Sequence, residues 1–215
     1  MTTALVFTGG GDYTDPWHPY AESSEQLAEV IRGVGLDVEV TGGVDSALSG
    51  LADEPDLLAV NAGAGPDPHP RDAELAEAAL AQVTRGGGLL VLHLSTGLFP
   101  RSPDWEAAIG ARWIWGVSGH PPGGRFRVEV HGHELTAGLA DFDIVDESYA
   151  DLRLGDGSQV LASHERDGVR HPLIWLRAAG AGRVAVDLLG HDASSFDSAE
   201  HRELLGRVAR WAAGA

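Results

Sequence analysis

Five histidines stand where an apolar run or a loop breaks into glycine, proline or an acid. They are His18 in DPWHP, His93 in GGGLLVLHLSTG, His120 in GVSGHPP, His133 in HGHELT and His191 in LLGHDAS. Imidazole exchanges protons near neutral pH and ligates metals, so several such rings at one rim of a sheet form an acid–base or metal site. The chain has no cysteine, which excludes disulfides, thiolate metal sites and a Cys nucleophile. Chemistry here rests on His, carboxylates, hydroxyls or a metal.

His93 closes the apolar run Leu89–Leu92, and a polar ring in that place needs partners whether or not it reacts. Ser95, in His-Leu-Ser-Thr-Gly, is a weaker nucleophile candidate because the G-x-S-x-G pattern is absent; Ser95 and Thr96 are expected to cap a following helix. His120 and His191 each follow a glycine, which lets backbone or ligand approach closely. Asp192 could orient the neighbouring imidazole, face a cation, or cap a turn. His131 and His133 have the i, i+2 spacing that puts two rings on one face of a strand, a spacing metals use, although two rings flanking a turn are the commoner outcome. Asp146-Glu147-Ser148-Tyr149 supplies a carboxylate that acts as base or ligand if histidines approach it, and is a solvated acid otherwise. Trp17, Trp113 and Trp115 lie near the histidine-bearing loops and either stack on a sugar face or fill core, while Trp175 and Trp211 read as core. Gly9–Gly11 lacks both G-K-[ST] and G-x-G-x-x-G, so nucleotide binding is not expected.

These residues need a scaffold that gathers them. Ala4–Thr8, Leu36–Val40, Leu57–Val60 and Leu89–Leu92 read as strands. Between them, residues 23–34, with Ser23 and Ser24 as candidate caps, and Asp72–Thr84 have helical spacing. Alternation of this kind predicts a parallel sheet covered on both faces, with its ligand crevice beyond the carboxyl ends of the strands. Gly9, Asn61 and His93 then share one edge. The second half reads as strands at Arg125–Val130, Phe142–Val145, Gln159–Ala162, Leu173–Leu176 and Arg183–Leu188, with a last helix over Ala199–Trp211.

The 215 residues carry a formal charge of −17, from 32 acids against 15 Lys and Arg. Such a surface repels nucleic acid and anionic membranes. ALVF near the start lacks a basic flank and is too short for a signal or a membrane span. The expectation is one domain over residues 1–215 in the cytoplasm, binding neither nucleic acid nor membrane.

Taken in order, FTGGGDY with His18 downstream, GGGLLVLH, GVSGHP, HELTAGLADFDIVDESY, HPLIWLRAAGAGRVAVDLLGHD and a terminal RWAAG resemble the ThuA-like (trehalose utilisation) family of the class I glutamine amidotransferase-like superfamily. The family usually has His-Pro where this chain has His133-Glu134. The resemblance implies a flavodoxin-like three-layer α/β/α sandwich with a mostly parallel sheet. It also implies a link to trehalose or related disaccharides, including keto-sugars made by partner dehydrogenases. Amidotransferases of the superfamily place a Cys nucleophile in the turn that here reads His93-Leu94-Ser95, so thiolate glutaminase chemistry is unavailable. His93, His120, Glu147, Tyr149, His191 and Asp192 match family motif positions.

The resulting expectation is an enzyme acting on a small-molecule carbohydrate. His93, Glu147 and His191 are the catalytic candidates. His18, His120, Tyr149, Asp192, Trp17 and Trp115 are the substrate-binding candidates. His18, His93, His120 and His191 are candidate ligands for a divalent metal ion. A homo-oligomer is compatible with this reading. The alternatives are a non-catalytic carbohydrate-binding or interaction module on the same scaffold, and a serine hydrolase built on Ser95.

Overall fold

Short apolar runs separated by amphipathic helices shape the first half of the molecule. In this computed structural model, which describes residues 2–11, 13–63 and 67–215, β1 (Thr3–Thr8), β2 (Asp37–Thr41), β3 (Leu57–Asn61) and β4 (Gly88–Leu92) alternate with α1 (Tyr20–Gly33), α2 (Val44–Ala52) and α3 (Asp72–Thr84). Asp12 of the FTGGGDY stretch lies outside the described residues. The second half adds α4 (Pro103–Ile109), β5 (Ala111–Arg112), β6 (Gly124–Val130), β7 (Phe142–Asp146), β8 (Arg153–Leu154), β9 (Gln159–Arg166), β10 (Val169–Ala179), β11 (Gly182–Asp187) and α5 (Ala199–Ala213).

Nine strands form one sheet in the order β2-β1-β3-β4-β11-β10-β9-β6-β7. The pairings from β2 to β11 are parallel, and those from β11 out to β7 are antiparallel. The expected parallel sheet is therefore the part built on β1–β4 and β11, and an antiparallel extension continues it. β3 and β4 are buried at every position, as strands covered on both faces must be. Helix α1 packs beside α5, and α2 beside α3. Right-handed crossovers place successive helices on opposite faces when the chain reverses its direction of travel across the sheet, as it does at β2.

The topology decides where the chemistry lies. β1, β3, β4 and β11 are parallel, so their carboxyl ends share an edge. Four antiparallel steps from β11 return β7 to the same direction. The end of β7, just before Glu147, and the start of β6, just after His120, therefore reach that same edge.

Helix α1 begins at Tyr20, so Ser23 and Ser24 do not cap it. They are buried in its first turns, where Asn61 Nδ2 donates to both hydroxyls at 2.9 and 3.0 Å and fastens the helix to the end of β3. Ser95 and Thr96 likewise cap no helix; both lie within a 3₁₀ turn, His93–Gly97.

Candidate functional site

Strand β4 stops because His93 turns the chain. Its φ is +48°, the left-handed region that costs a residue bearing a Cβ about 1–2 kcal/mol. Neighbouring bonds hold the turn. The Ser95 hydroxyl accepts from Ala62 N at 2.9 Å and donates to Ala62 O at 3.1 Å. Thr96 Oγ1 donates to His93 O at 3.2 Å. Ser95 thus bonds to the backbone beyond β3 and to no imidazole, so the geometry does not supply a Ser–His nucleophile pair. The His93 ring is buried, and its Nδ1 donates to Leu188 O at 2.8 Å. That bond commits Nδ1 to the backbone and leaves Nε2 facing the cluster, 3.3 Å from Glu147 Oε2.

Glu147 receives the imidazoles. Its Oε2 lies 3.3 Å from His93 Nε2 and 3.3 Å from His191 Nδ1, and its Oε1 lies 3.4 Å from His120 Nδ1. Burial works to raise the Glu147 carboxyl, but the neighbouring His191, His93 and His120 imidazoles outweigh it and hold the group well below the usual carboxylate range. The Glu147 contact conversely raises His191 against the effect of its burial. Asp146 places both partners: Oδ1 accepts from Glu147 N at 2.7 Å and Oδ2 from Gly190 N at 2.8 Å. Gly190 has φ +106°, and a Cβ there would meet the Leu92 side chain at 2.8 Å, so only glycine lets this loop lie against β4.

His18 enters from the loop after β1. Asp15 grips its Nδ1 at 2.7 and 2.8 Å through its two oxygens and also accepts the Tyr20 hydroxyl at 2.6 Å. Burial opposes ionisation of Asp15, yet the bonds from His18 and Tyr20 bring its pKa down to about 2. Burial lowers His18 despite Asp15, so the ring is held neutral with Nε2 presented inward. Glycines make room for this clamp: a Cβ on Gly9 would lie 2.5 Å from the Tyr20 ring, and one on Gly63 would collide with the Tyr20 hydroxyl and lie 2.6 Å from Asp15 Oδ2.

Among the described residues, His18 Nε2, His93 Nε2, Glu147 Oε2 and His191 Nδ1 are all buried without a hydrogen-bond partner. One ligand atom from each of these four residues lies within 4.8 Å of every other. The His18 ring is 5.0 Å from His93 and 4.8 Å from His191 between centroids. Native proteins rarely strand a buried polar atom, and four at one point mark a place built for something else. Beside them Tyr149 packs between His93 at 4.2 Å and His120 at 5.1 Å, with Trp113 at 4.5 Å. His120 Nδ1 donates to Pro121 O at 2.9 Å, which leaves Nε2 of its partly exposed ring turned to other partners.

The structure thus brings His18, His93, His120, Glu147, Tyr149 and His191 together. Asp192 caps the 3₁₀ turn Ala193–Asp197, accepting from Ser194 N at 2.8 Å. Trp17 is 67 % exposed and Trp115 41 %; Trp115 leans on Trp113 with centroids 6.4 Å apart, and Trp113, Trp175 and Trp105 are buried. His131 and His133 do not pair as ligands: His131 Nε2 bonds to Ser163 Oγ at 2.8 Å, and His133 Nδ1 caps the next turn by accepting from Leu135 N at 3.1 Å.

Sequence reasoning missed the supporting residues. Asp15 stands three before His18, a spacing that could have signalled the clamp. Asp187 and His201 are both fully buried and meet at 3.0 Å; Asp187 also accepts from Leu189 N at 2.9 Å, and His201 Nδ1 donates to Ser195 O at 2.8 Å. They fix the Leu188–His191 loop from beneath. A surface cleft of about 1160 Å³, lined by residues 68–70, α3 and the 99–104 segment, carries none of these imidazoles.

Among the described residues no helix is long and apolar enough to cross a membrane. The family model for trehalose utilisation (ThuA) matches residues 3–212. No curated protein matches the chain by sequence. Among solved structures, a ThuA-like protein from Parabacteroides merdae superposes with a TM-score of 0.78 at 20 % identity, over 99 % of this chain and 90 % of its own. One from Bacteroides uniformis gives 0.77 at 17 %, over 98 % and 91 %. A β-galactosidase from Rahnella gives 0.65 at 15 %, over 98 % of this chain but 31 % of its own. At these identities the likeness is one of fold.

Proposed function

This chain belongs to the ThuA, or trehalose utilisation, family, and on that premise we propose that it acts on a sugar or keto-sugar through the His/Glu cluster at the carboxyl edge of its sheet. The observation that carries the reading is the convergence of four partnerless buried atoms, from His18, His93, Glu147 and His191, beside a half-exposed imidazole, His120, that contacts Glu147. Sugar oxygens bind beside the buried cluster, and a divalent ion held there would polarise one by taking it as a fifth ligand. His120 Nε2, the ring nitrogen not engaged by Pro121 O, takes a proton from a hydroxyl or from carbon next to a carbonyl and returns it later. Tyr149 braces His120 and His93 by stacking, and the exposed faces of Trp17 and Trp115 offer platforms for sugar rings. The carbohydrate partner and the cytoplasmic location belong to this same proposal.

The test is proton NMR of the protein, purified without chelator, incubated in deuterated buffer with trehalose and with its keto derivative. Loss of substrate signals, or deuterium uptake beside the carbonyl, is expected with wild type and at least about 100-fold slower with His120→Ala. Unchanged spectra with both sugars would remove the enzymatic reading. A non-catalytic carbohydrate-binding module is the second reading. It draws on the recurrence of this fold as less than a third of a longer β-galactosidase chain, and calorimetric sugar binding without turnover is its signature.

A further inference from the structure

The donor set, its spacing and its outer bonds point to one kind of occupant. We propose that His18 Nε2, His93 Nε2, His191 Nδ1 and Glu147 Oε2 bind a single first-row divalent transition ion of the zinc type. This deepens the functional reading above but fails independently of it. A tetrahedral ion with bonds of about 2.05 Å needs ligand atoms about 3.3 Å apart, and the Glu147 Oε2 contacts to His93 Nε2 and His191 Nδ1 are both 3.3 Å.

Two further features fit a metal better than a trapped water. Metal-bound histidines almost always donate their outer N–H to a carboxylate or carbonyl, which fixes the tautomer and strengthens the ligand. His18 has the Asp15 carboxylate in that role and His93 has the Leu188 carbonyl. A buried water bonds up to four groups only where these supply both donors and acceptors. Here His18 and His93 have their outer nitrogens committed to Asp15 and Leu188 O, and the inward atoms of all four residues converge, an arrangement that suits a metal ion as their common partner. Three imidazoles and one carboxylate select zinc, cobalt, nickel or ferrous ions over magnesium and calcium, which prefer oxygen. His120, held by Pro121 O and the other Glu147 oxygen, stays outside the set.

The experiment uses the full chain without an affinity tag, stripped of metal by dialysis and then titrated with Zn²⁺ by calorimetry and with Co²⁺ by visible absorption, no sugar present. One ion per chain with micromolar or tighter affinity is expected, with the intense Co²⁺ bands of four- or five-coordination. His18→Ala and Glu147→Gln should each weaken binding at least 100-fold, and Asp15→Asn, which acts through His18, about 10- to 100-fold. His131→Ala should bind as wild type. Circular dichroism confirms that each variant folds. Absence of stoichiometric binding in wild type, or binding that survives in both His18→Ala and Glu147→Gln, would overturn the proposal. Because no sugar enters the titration, a protein that binds zinc but leaves sugars unchanged refutes only the functional reading, and the reverse result refutes only the metal centre.

Discussion

The Asp146 carboxylate accepts the Gly190 N–H at 2.8 Å and so joins the end of β7 to a loop 44 residues away in sequence. Its other oxygen accepts the Glu147 N–H at 2.7 Å. One side chain thereby sets both members of the Glu147–His191 contact. Asp146→Ala strands two buried N–H groups at about 1–3 kcal/mol each. Urea unfolding should show that loss, and metal affinity should fall about 10- to 100-fold as the loop drifts from Glu147.

The left-handed backbone of His93 separates stability from function. His93→Gly and His93→Ala both remove the ring, but only glycine relieves the φ of +48°. The Gly variant should be the more stable by about 1 kcal/mol, net of its greater unfolded-state entropy. Equal or reversed midpoints in denaturant would argue against the strained turn. Neither variant should retain activity.

The buried His201–Asp187 pair predicts a pH dependence of stability. Burial lowers the His201 pKa, but Asp187 and the Ser195 carbonyl outweigh it and raise the group above its ordinary value. The folded protein therefore holds this proton more tightly than the unfolded chain. The contribution is complete below the unfolded value of about 6.5 and disappears as pH rises through the higher folded value. His201→Gln should cost about 3–5 kcal/mol at pH 6, and the gap to wild type should narrow on the alkaline side. Unfolding free energies measured from pH 5.5 to 9 check the sign.

Exposed indoles should affect substrate binding more than turnover. Trp17→Ala and Trp115→Ala should each raise the sugar concentration for half-saturation about 2- to 12-fold, the equivalent of about 0.5–1.5 kcal/mol of stacking, with kcat unchanged. Steady-state kinetics on the responsive sugar distinguish the two effects.

Most of the scaffold was legible because period and punctuation agreed. Leu89–Leu92 could be little other than a buried strand, and Gly-His-Asp and His-Leu-Ser marked places where strands give way to loops. His93 was legible because a parallel sheet sends strand ends to one edge, while Glu147, His120 and His191 stood out as a set through the family resemblance of their motifs. What escaped was short or borrowed from distant partners. The Val44–Ala52 helix is short and carries Gly50, two serines and a β-branched Val44, and Pro103–Ile109 is shorter still, marked only by Ser102, whose hydroxyl accepts from Trp105 N at 3.2 Å. β10 runs through Arg170, His171 and Pro172, which conceal its length. Asp146, Asp187 and His201 carry no local signature because the partners that make them structural lie 14 to 44 residues away, whereas the partner of Asp15 stands only three residues on. Serines at 23, 24 and 95 resembled caps because hydroxyls that fasten a helix or turn to the sheet carry no different local signature.

The most direct test of the central claim, that four side chains from distant segments hold one ion in a working site, is anomalous diffraction at the zinc edge from zinc-loaded crystals. A single strong peak about 2.0–2.2 Å from His18 Nε2, His93 Nε2, His191 Nδ1 and Glu147 Oε2 is the predicted result. A map with no peak among those atoms, and zinc found only on surface carboxylates, would contradict it.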